Sequence, residues 1–182
     1  VYVTAPAAAS HDSDIQRGID AAASGDTVNV EAGTYTGNAD ATAAGKNVTL
    51  AAGSSPAQVV MTGNLVLNAG DTLAIELNGT DAATEYDNWV VTGGVTLGGA
   101  TLAATAGVAF AGGDKFVIVS NDDTDAVSGT FAGLANGASV TISGQAFRVF
   151  YNGGDGNDVV LIRLAAPLPI VYVDDDFANP IP

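Results

Sequence analysis

A chain of 182 residues with 20 acidic and 5 basic side chains carries a formal net charge of −15, which excludes nucleic-acid and anionic-membrane partners, because both are held by Lys and Arg. The absence of Cys excludes a disulfide framework and a thiolate zinc site. Charged residues at 14% are too few for a disordered polyelectrolyte, and 23 Gly mark a chain rich in small side chains. The length suits one domain or at most two small ones, and no apolar run reaches the roughly 18 residues of a membrane-spanning helix. The chain opens on Val1 rather than Met and shows no signal peptide, so a processed chain or a segment of a longer one is expected.

In chain order, the first predicted element is a helix over Ser13–Ser24. Ser13 would cap it, with Gln16 three residues on as in a capping box. Ile15, Ile19 and Ala22 share one face, and Gly25 stops the helix. Gly18 inside it lowers the helical preference. Everything after Gly25 reads as short strands between Gly, Asn and Asp clusters: Thr27–Val30, Asn47–Ala51, Gln58–Met61, Leu65–Asn68, Thr72–Leu77 and Asn88–Thr92. They continue with Val95–Leu97, Thr101–Ala104, Lys115–Ser120, Ser139–Ile142, Phe147–Tyr151 and Asp158–Leu164.

The connections are too short for crossover helices, which excludes a doubly wound α/β fold. Short strands of small residues joined by Gly corners suit a coil that stacks rung on rung around a narrow interior, and aromatics are accordingly only 7%. At roughly 20–30 residues per coil, residues 26–164 predict about five to seven rungs. The helix would cap the first one, because a bare coil end is an edge that aggregates. The chain is therefore predicted to be all-β, a right-handed parallel β-helix with a short N-terminal capping helix. Residues 1–164 would form the module and residues 165–182 a Pro-bounded C-terminal arm.

Two stretches carry a family resemblance. Ile15-Gln-Arg-Gly-Ile-Asp-Ala-Ala-Ala-Ser-Gly-Asp-Thr-Val-Asn-Val-Glu-Ala-Gly-Thr-Tyr35 is similar to the start of β-helix proteins of the pectate-lyase-like superfamily. There an I-Q-x-A-I-D-A-A helix caps the coil and G-D-T-V-x-V-x-x-G-T-Y forms the first rung; Gly18 stands where Ala is usual. The order of Leu73–Thr80, Tyr86–Leu102, Gly113–Val119, Gly129–Leu134 and Tyr151–Leu161 resembles the repeat regions of autotransporter-like and planctomycete surface proteins. This likeness implies a passenger or stalk module without catalytic activity. The chain also opens with Val1-Tyr-Val3 and closes with Ile170-Val-Tyr-Val-Asp-Asp-Asp-Phe-Ala178, which looks like the start of a further unit.

A polysaccharide lyase would gather a basic residue and arginines around an acidic sugar. The cations Arg17, Lys46, Lys115, Arg148 and Arg163 are scattered singly, and a −15 surface repels a polyanion. No pair of carboxylates has a spacing that marks a glycosidase. His11, the only His, reads as a surface residue. The sequence therefore predicts no enzyme. Gly153-Gly-Asp-Gly-Asn-Asp-Val-Val-Leu161 matches the nonapeptide of calcium-binding β-rolls, so Asp155, Asn157 and Asp158 are the candidate metal ligands; no cofactor is required, and Ca²⁺ is the ion that would fit. The bland reading of the same residues is a Gly-rich turn. The acidic runs Asn121–Asp125 and Asp174–Asp176 read as solvated loops. Asn47 and Asn78 fit the glycosylation pattern. Trp89, in a Val-rich run, reads as core rather than as a sugar platform.

Ala165-Ala-Pro-Leu-Pro169 reads as an extended linker before an apolar strand, Ile170–Val173. Val1, Tyr2 and Val3 with Ile170, Val171, Tyr172 and Val173 are the candidate subunit interface, through strand addition to a neighbour's sheet edge. The expected function is an extracellular structural module at a prokaryotic cell surface, whose partner is itself, as a head-to-tail homopolymer or a tandem repeat. The alternative is an adhesin that binds glycans, through Trp89 and the tyrosines. Neither involves nucleic acid or membrane insertion.

Overall fold

A computed structural model describes residues 1–4, 14–42, 45–53, 56–122 and 125–166. The chain is a β-solenoid of about 4 turns with one short helix. It starts with β1 (Tyr2–Val3) and α1 (Ile15–Ala21). The first turn is β2 (Thr27–Val30), β3 (Gly33–Tyr35) and β4 (Ala39–Asp40). The second is β5 (Thr49–Ala52), β6 (Gln58–Met61) and β7 (Leu65–Val66). The third is β8 (Thr72–Leu77), β9 (Asn88–Val91) and β10 (Val95–Thr96). The fourth has β11 (Thr101–Ala106) and β12 (Lys115–Asn121), and Ser128 bridges to Thr96 on the third face. The last strands are β13 (Ser139–Ile142), β14 (Gln145–Gly153) and β15 (Asp158–Arg163).

Each face of the coil is a parallel ladder. The first runs β1-β2-β5-β8-β11, the second contains β3-β6-β9-β12 and the third is β4-β7-β10. Register stacks like on like. Thr27, Thr49, Thr72 and Thr101 form one column, and Val28, Leu50, Leu73 and Leu102 the next. The second column faces inward, as the period of 2 along a strand requires: β8 alternates between partly exposed or exposed and buried side chains along its whole length. Each fully buried Val or Leu of this kind contributes about 1.5–3 kcal/mol. On the second face Trp89 lies between Val59 and Val119 in the ladder. It is fully buried, so its place is the core.

One turn recurs where the chain enters a strand. In Ala23-Ser-Gly-Asp26, Asn68-Ala-Gly-Asp71 and Ala111-Gly-Gly-Asp114 the Asp N–H donates to the carbonyl three residues back, at 3.0, 3.1 and 3.2 Å. The Asp carboxylate in turn accepts that same residue's N–H, at 2.9, 2.9 and 2.8 Å. The Gly in third place has φ of +92°, +120° and +100°, the left-handed region where a side chain is strained. Gly-Asp is thus the signal that starts β2, β8 and β12.

The predicted count of five to seven rungs is too high. After β12 the chain stops coiling. β12 pairs in parallel with β9 on one side and antiparallel with β15 on the other, and β14 and β13 follow as a meander. A bulge between Val117 and Val119 lets one strand serve both ladders. Aromatic side chains close this end of the core: Phe116 makes edge contacts with Tyr86, Phe110 and Phe147 at centroid distances of 5.3, 4.7 and 6.0 Å.

The helix closes the other end, shorter than predicted. Its N-cap is Asp14, whose carboxylate accepts the Gln16 N–H at 2.8 Å; Ser13 lies outside the described residues. Gln16 serves another purpose than the capping box. Its amide accepts from Asp40 N at 2.7 Å and donates to Asp40 O at 3.1 Å, which completes the open edge of β4 as a further strand would. Lys46 Nζ donates to the Asp20 and Ala22 carbonyls at the end of the helix.

Three buried tyrosines set the alkaline limit of this fold. Burial, then the charge of Glu31, pushes the Tyr35 phenol up to about 12, and its hydroxyl donates to Glu31 O at 2.8 Å. Burial raises Tyr86 and Tyr151 as well. A raised folded-state value means the stabilisation is intact below the ordinary phenol value near 10 and is lost as pH climbs through about 12. Phenolate absorbance of these residues is therefore expected to appear together with the loss of the β-sheet circular dichroism signal. Ionisation well ahead of unfolding would mean that they are not buried.

Candidate functional site

The sequence-predicted metal ligands lie on the turn from β14 to β15, and the structure separates them. Asp155 is exposed, whereas Asn157 and Asp158 are buried. The buried pair faces the end of β12. Asp158 Oδ1 accepts the Asn121 N–H at 3.0 Å. Asn157 Nδ2 donates to the carbonyls of Asp122 and Asp125 at 3.0 and 3.1 Å, and Asn121 Nδ2 donates to that same Asp125 carbonyl at 2.6 Å. These bonds use the amide nitrogens, and Oδ1 of Asn121 and of Asn157 is buried without a hydrogen-bond partner among the described residues. Burial pushes the Asp158 carboxyl above the ordinary carboxylate range; the Asn121 N–H opposes the shift and the charge of Asp155 adds to it. Gly154 is obligatory here, since a Cβ would sit 1.8 Å from Asp158 Oδ2. The oxygen-rich set is therefore Asn121, Asn157 and Asp158, and Asn121 is the member that sequence reading left in a solvated loop. No group of three or more His, Cys, Asp or Glu is gathered among the described residues.

The candidate interface divides. Val1–Val3 belongs to β1, held in parallel on β2: Val1 N donates to Thr27 O, and Asn29 and Glu31 donate to the Val1 and Val3 carbonyls. Its outer side has no ladder partner among the described residues, and Tyr2 is 78% exposed. At the far end of the same sheet β11 is equally a terminal strand. Ile170, Val171, Tyr172 and Val173 lie outside the described residues, as do His11 and Asp174–Asp176. Of the side chains offered for a glycan platform, Trp89, Tyr35, Tyr86 and Tyr151 are buried, Tyr2 is exposed, and Tyr172 lies outside the described residues.

Three of the five cations stand apart and two come together. Arg17 is exposed on α1 and Lys46 holds the helix end. Arg163 donates to Gln145, Ala146 and Leu164 and lies 5.9 Å over the Phe147 ring. Lys115 and Arg148 stand together on the outside of the meander, where Ile162 pairs with both. Buried carboxylates elsewhere act as rung clasps. Asp71 accepts from Val48 and Asn68, and Asp87 from Ala57 and Glu76.

These features define a β-solenoid with a helix at its N-terminal end, a meander at the other, and one ladder that ends in β1 and β11 among the described residues. A scan against protein-family models finds no match, and searches of curated proteins and of solved structures find none either.

Proposed function

We propose that the chain is a non-catalytic extracellular structural module, a subunit or tandem repeat of a prokaryotic surface filament or stalk. The observation that carries this reading is the five-stranded parallel ladder, which among the described residues ends in β1 on one side and β11 on the other, the latter covered only where the Ala106 N–H donates to Ser143 Oγ. All its strands point the same way. A copy translated along the coil axis therefore brings its β1 beside the first copy's β11 in the parallel sense, and the ladder continues. Such a head-to-tail contact does not close, so it propagates as a filament held by main-chain hydrogen bonds. Ile170–Val173, with the Val-Tyr-Val of β1, is the segment that would bridge the step between copies. Copies that each carry −15 repel one another, and divalent cations relieve that repulsion. Carboxylate and amide oxygens such as those of Asp155, Asn157 and Asp158 on the β14–β15 turn are of the kind that suits Ca²⁺.

Negative-stain electron microscopy of the purified chain, with and without millimolar calcium, tests this. Filaments of regular width are expected, and a chain lacking Pro167–Pro182 is expected to remain a folded monomer. Dispersed particles in both conditions, or filaments unchanged by the truncation, would overturn it.

A further inference from the structure

The outer face of the meander carries a feature that the stacking function does not use. Two cross-strand rows lie on it. Lys115, Ile162 and Arg148 form one, and Val117, Val160 and Phe150 the other. Lys115, Phe150, Asn152, Val160 and Ile162 line an open groove of about 310 Å³, at the small end of ligand sites. Its floor is apolar and close-packed; Val160 is 5% exposed beneath Gly153, where a Cβ would meet Val160 Cγ2 at 2.2 Å. Lys115 and Arg148 are exposed at its rim, and neither meets a hydrogen-bond or ion-pair partner among the described residues. In a chain with 20 acidic and 5 basic side chains this is a local reversal of sign. Its complement is a short segment that joins several carboxylates to one large apolar side chain.

The chain contains such a segment in Asp174-Asp-Asp-Phe177. We propose that this run docks in cis on the groove, with the carboxylates on Lys115 and Arg148 and the Phe177 ring on the apolar floor. Three adjacent carboxylates are repelled by most of this protein's surface and attracted to the paired cations. The connection is long enough. Asp174 follows Ile162 by about a dozen residues, an extended reach of roughly 40 Å. A tether of that length supplies an effective concentration of about a millimolar, well above that of a second copy in dilute solution. Docking in cis needs no second copy, so it stands or falls apart from filament formation, and it leaves Ile170–Val173 outside the groove.

Zero-length carbodiimide coupling of the full chain, read by mass spectrometry, tests the contact, because it joins only an amine and a carboxylate that already touch. An intramolecular link from Lys115 to Asp174, Asp175 or Asp176 is expected. Its yield should fall by about fivefold or more in ~1 M salt, where the screening length is only about 3 Å. R148E and F177A are each expected to lower the yield several-fold, with the circular dichroism spectrum and unfolding midpoint of each variant unchanged, since Arg148 is exposed. Coupling of Lys115 to other carboxylates alone, or a link found only between isotopically distinct copies, would overturn the proposal.

Discussion

Replacing Asp71 by Asn is expected to cost about 2–4 kcal/mol of unfolding free energy, while the same change at Asp26 or Asp114 costs about 1 kcal/mol or less. The three residues hold the same turn, so a turn-only role would make the effects equal. Asp71 differs in two ways. It is fully buried, and its second oxygen reaches the preceding rung, where it accepts the Val48 N–H at 3.0 Å. Asp26 is exposed and Asp114 only partly buried. An Asn side chain has one acceptor oxygen, so at position 71 its amide must turn an N–H toward either Val48 N or Asn68 N. One buried donor is then unsatisfied and opposed by another donor, and the remaining bond loses its charge assistance. Urea unfolding of the three variants, with unchanged slopes, reads the difference directly. Equal losses at all three positions would show that the clasp between rungs carries no weight.

The reason for a buried carboxylate in a narrow apolar coil lies in solenoid geometry. At each corner the chain leaves one ladder before it joins the next, and its N–H groups point inward without a strand to receive them. A carboxylate with two oxygens satisfies two such groups from different rungs. Asp71 does this for Val48 and Asn68, and Asp87 for Ala57 and Glu76. Sequence alone does not single out these positions, since an isolated Asp carries no mark of the donors it will meet. The Gly-Asp pairs at 25–26, 70–71 and 113–114 are visible in the sequence, but they precede only some of the strands, and only Asp71 of the three is pulled inside.

Strand positions were legible for a simpler reason. Val, Leu and Ile alternating over four to seven residues between Gly corners leave little choice, and β2, β6, β8 and β13 span the predicted residues. Leu65–Val66 and Val95–Thr96 fall within predicted strands, whereas Tyr2–Val3 and Ala39–Asp40 were not legible, being too short to show a period. The change from coil to meander was hidden too. A strand such as Asp158–Arg163 has the same apolar content whether its neighbour runs parallel or antiparallel; only the hairpin turns at Ser143-Gly144 and Gly154–Asn157 separate the cases. Of the site, Asn157 and Asp158 stood out through their Gly-rich turn. Asn121 did not, because its partnership with them spans a sequence separation of 37 residues to Asp158.

Gly18 gives the second large effect, and it runs against helix propensity. Gly to Ala inside an exposed helix stabilises it by about 1 kcal/mol. At position 18 the substitution is expected instead to destabilise the protein by about 1–3 kcal/mol, the range for overpacking a filled core. A Cβ there would lie 2.3 Å from Val3 Cγ2 and 3.0 Å from Val28 Cγ1. Val28 is fully buried in the first complete turn and has nowhere to move. Val3 sits on a strand of two residues at the edge of the ladder, so the least costly relief is to lift β1 away. The missing Cβ of Gly18 is what admits Val3 beneath the helix. Hydrogen exchange locates the damage: the amides of Asn29 and Glu31, which donate to the Val1 and Val3 carbonyls, should lose protection in G18A while those of β6 and β9 keep it. V3A restores the space, so the pair should show a favourable coupling of about 1 kcal/mol or more, with V3A/G18A at least as stable as V3A alone. A G18A protein that is more stable than the parent, with Asn29 and Glu31 still protected, would show that β1 does not pack on the helix. If β1 does, G18A removes one of the two edges on which the proposed head-to-tail stacking depends, and any filaments should be lost while the rungs from β5 onward stay folded.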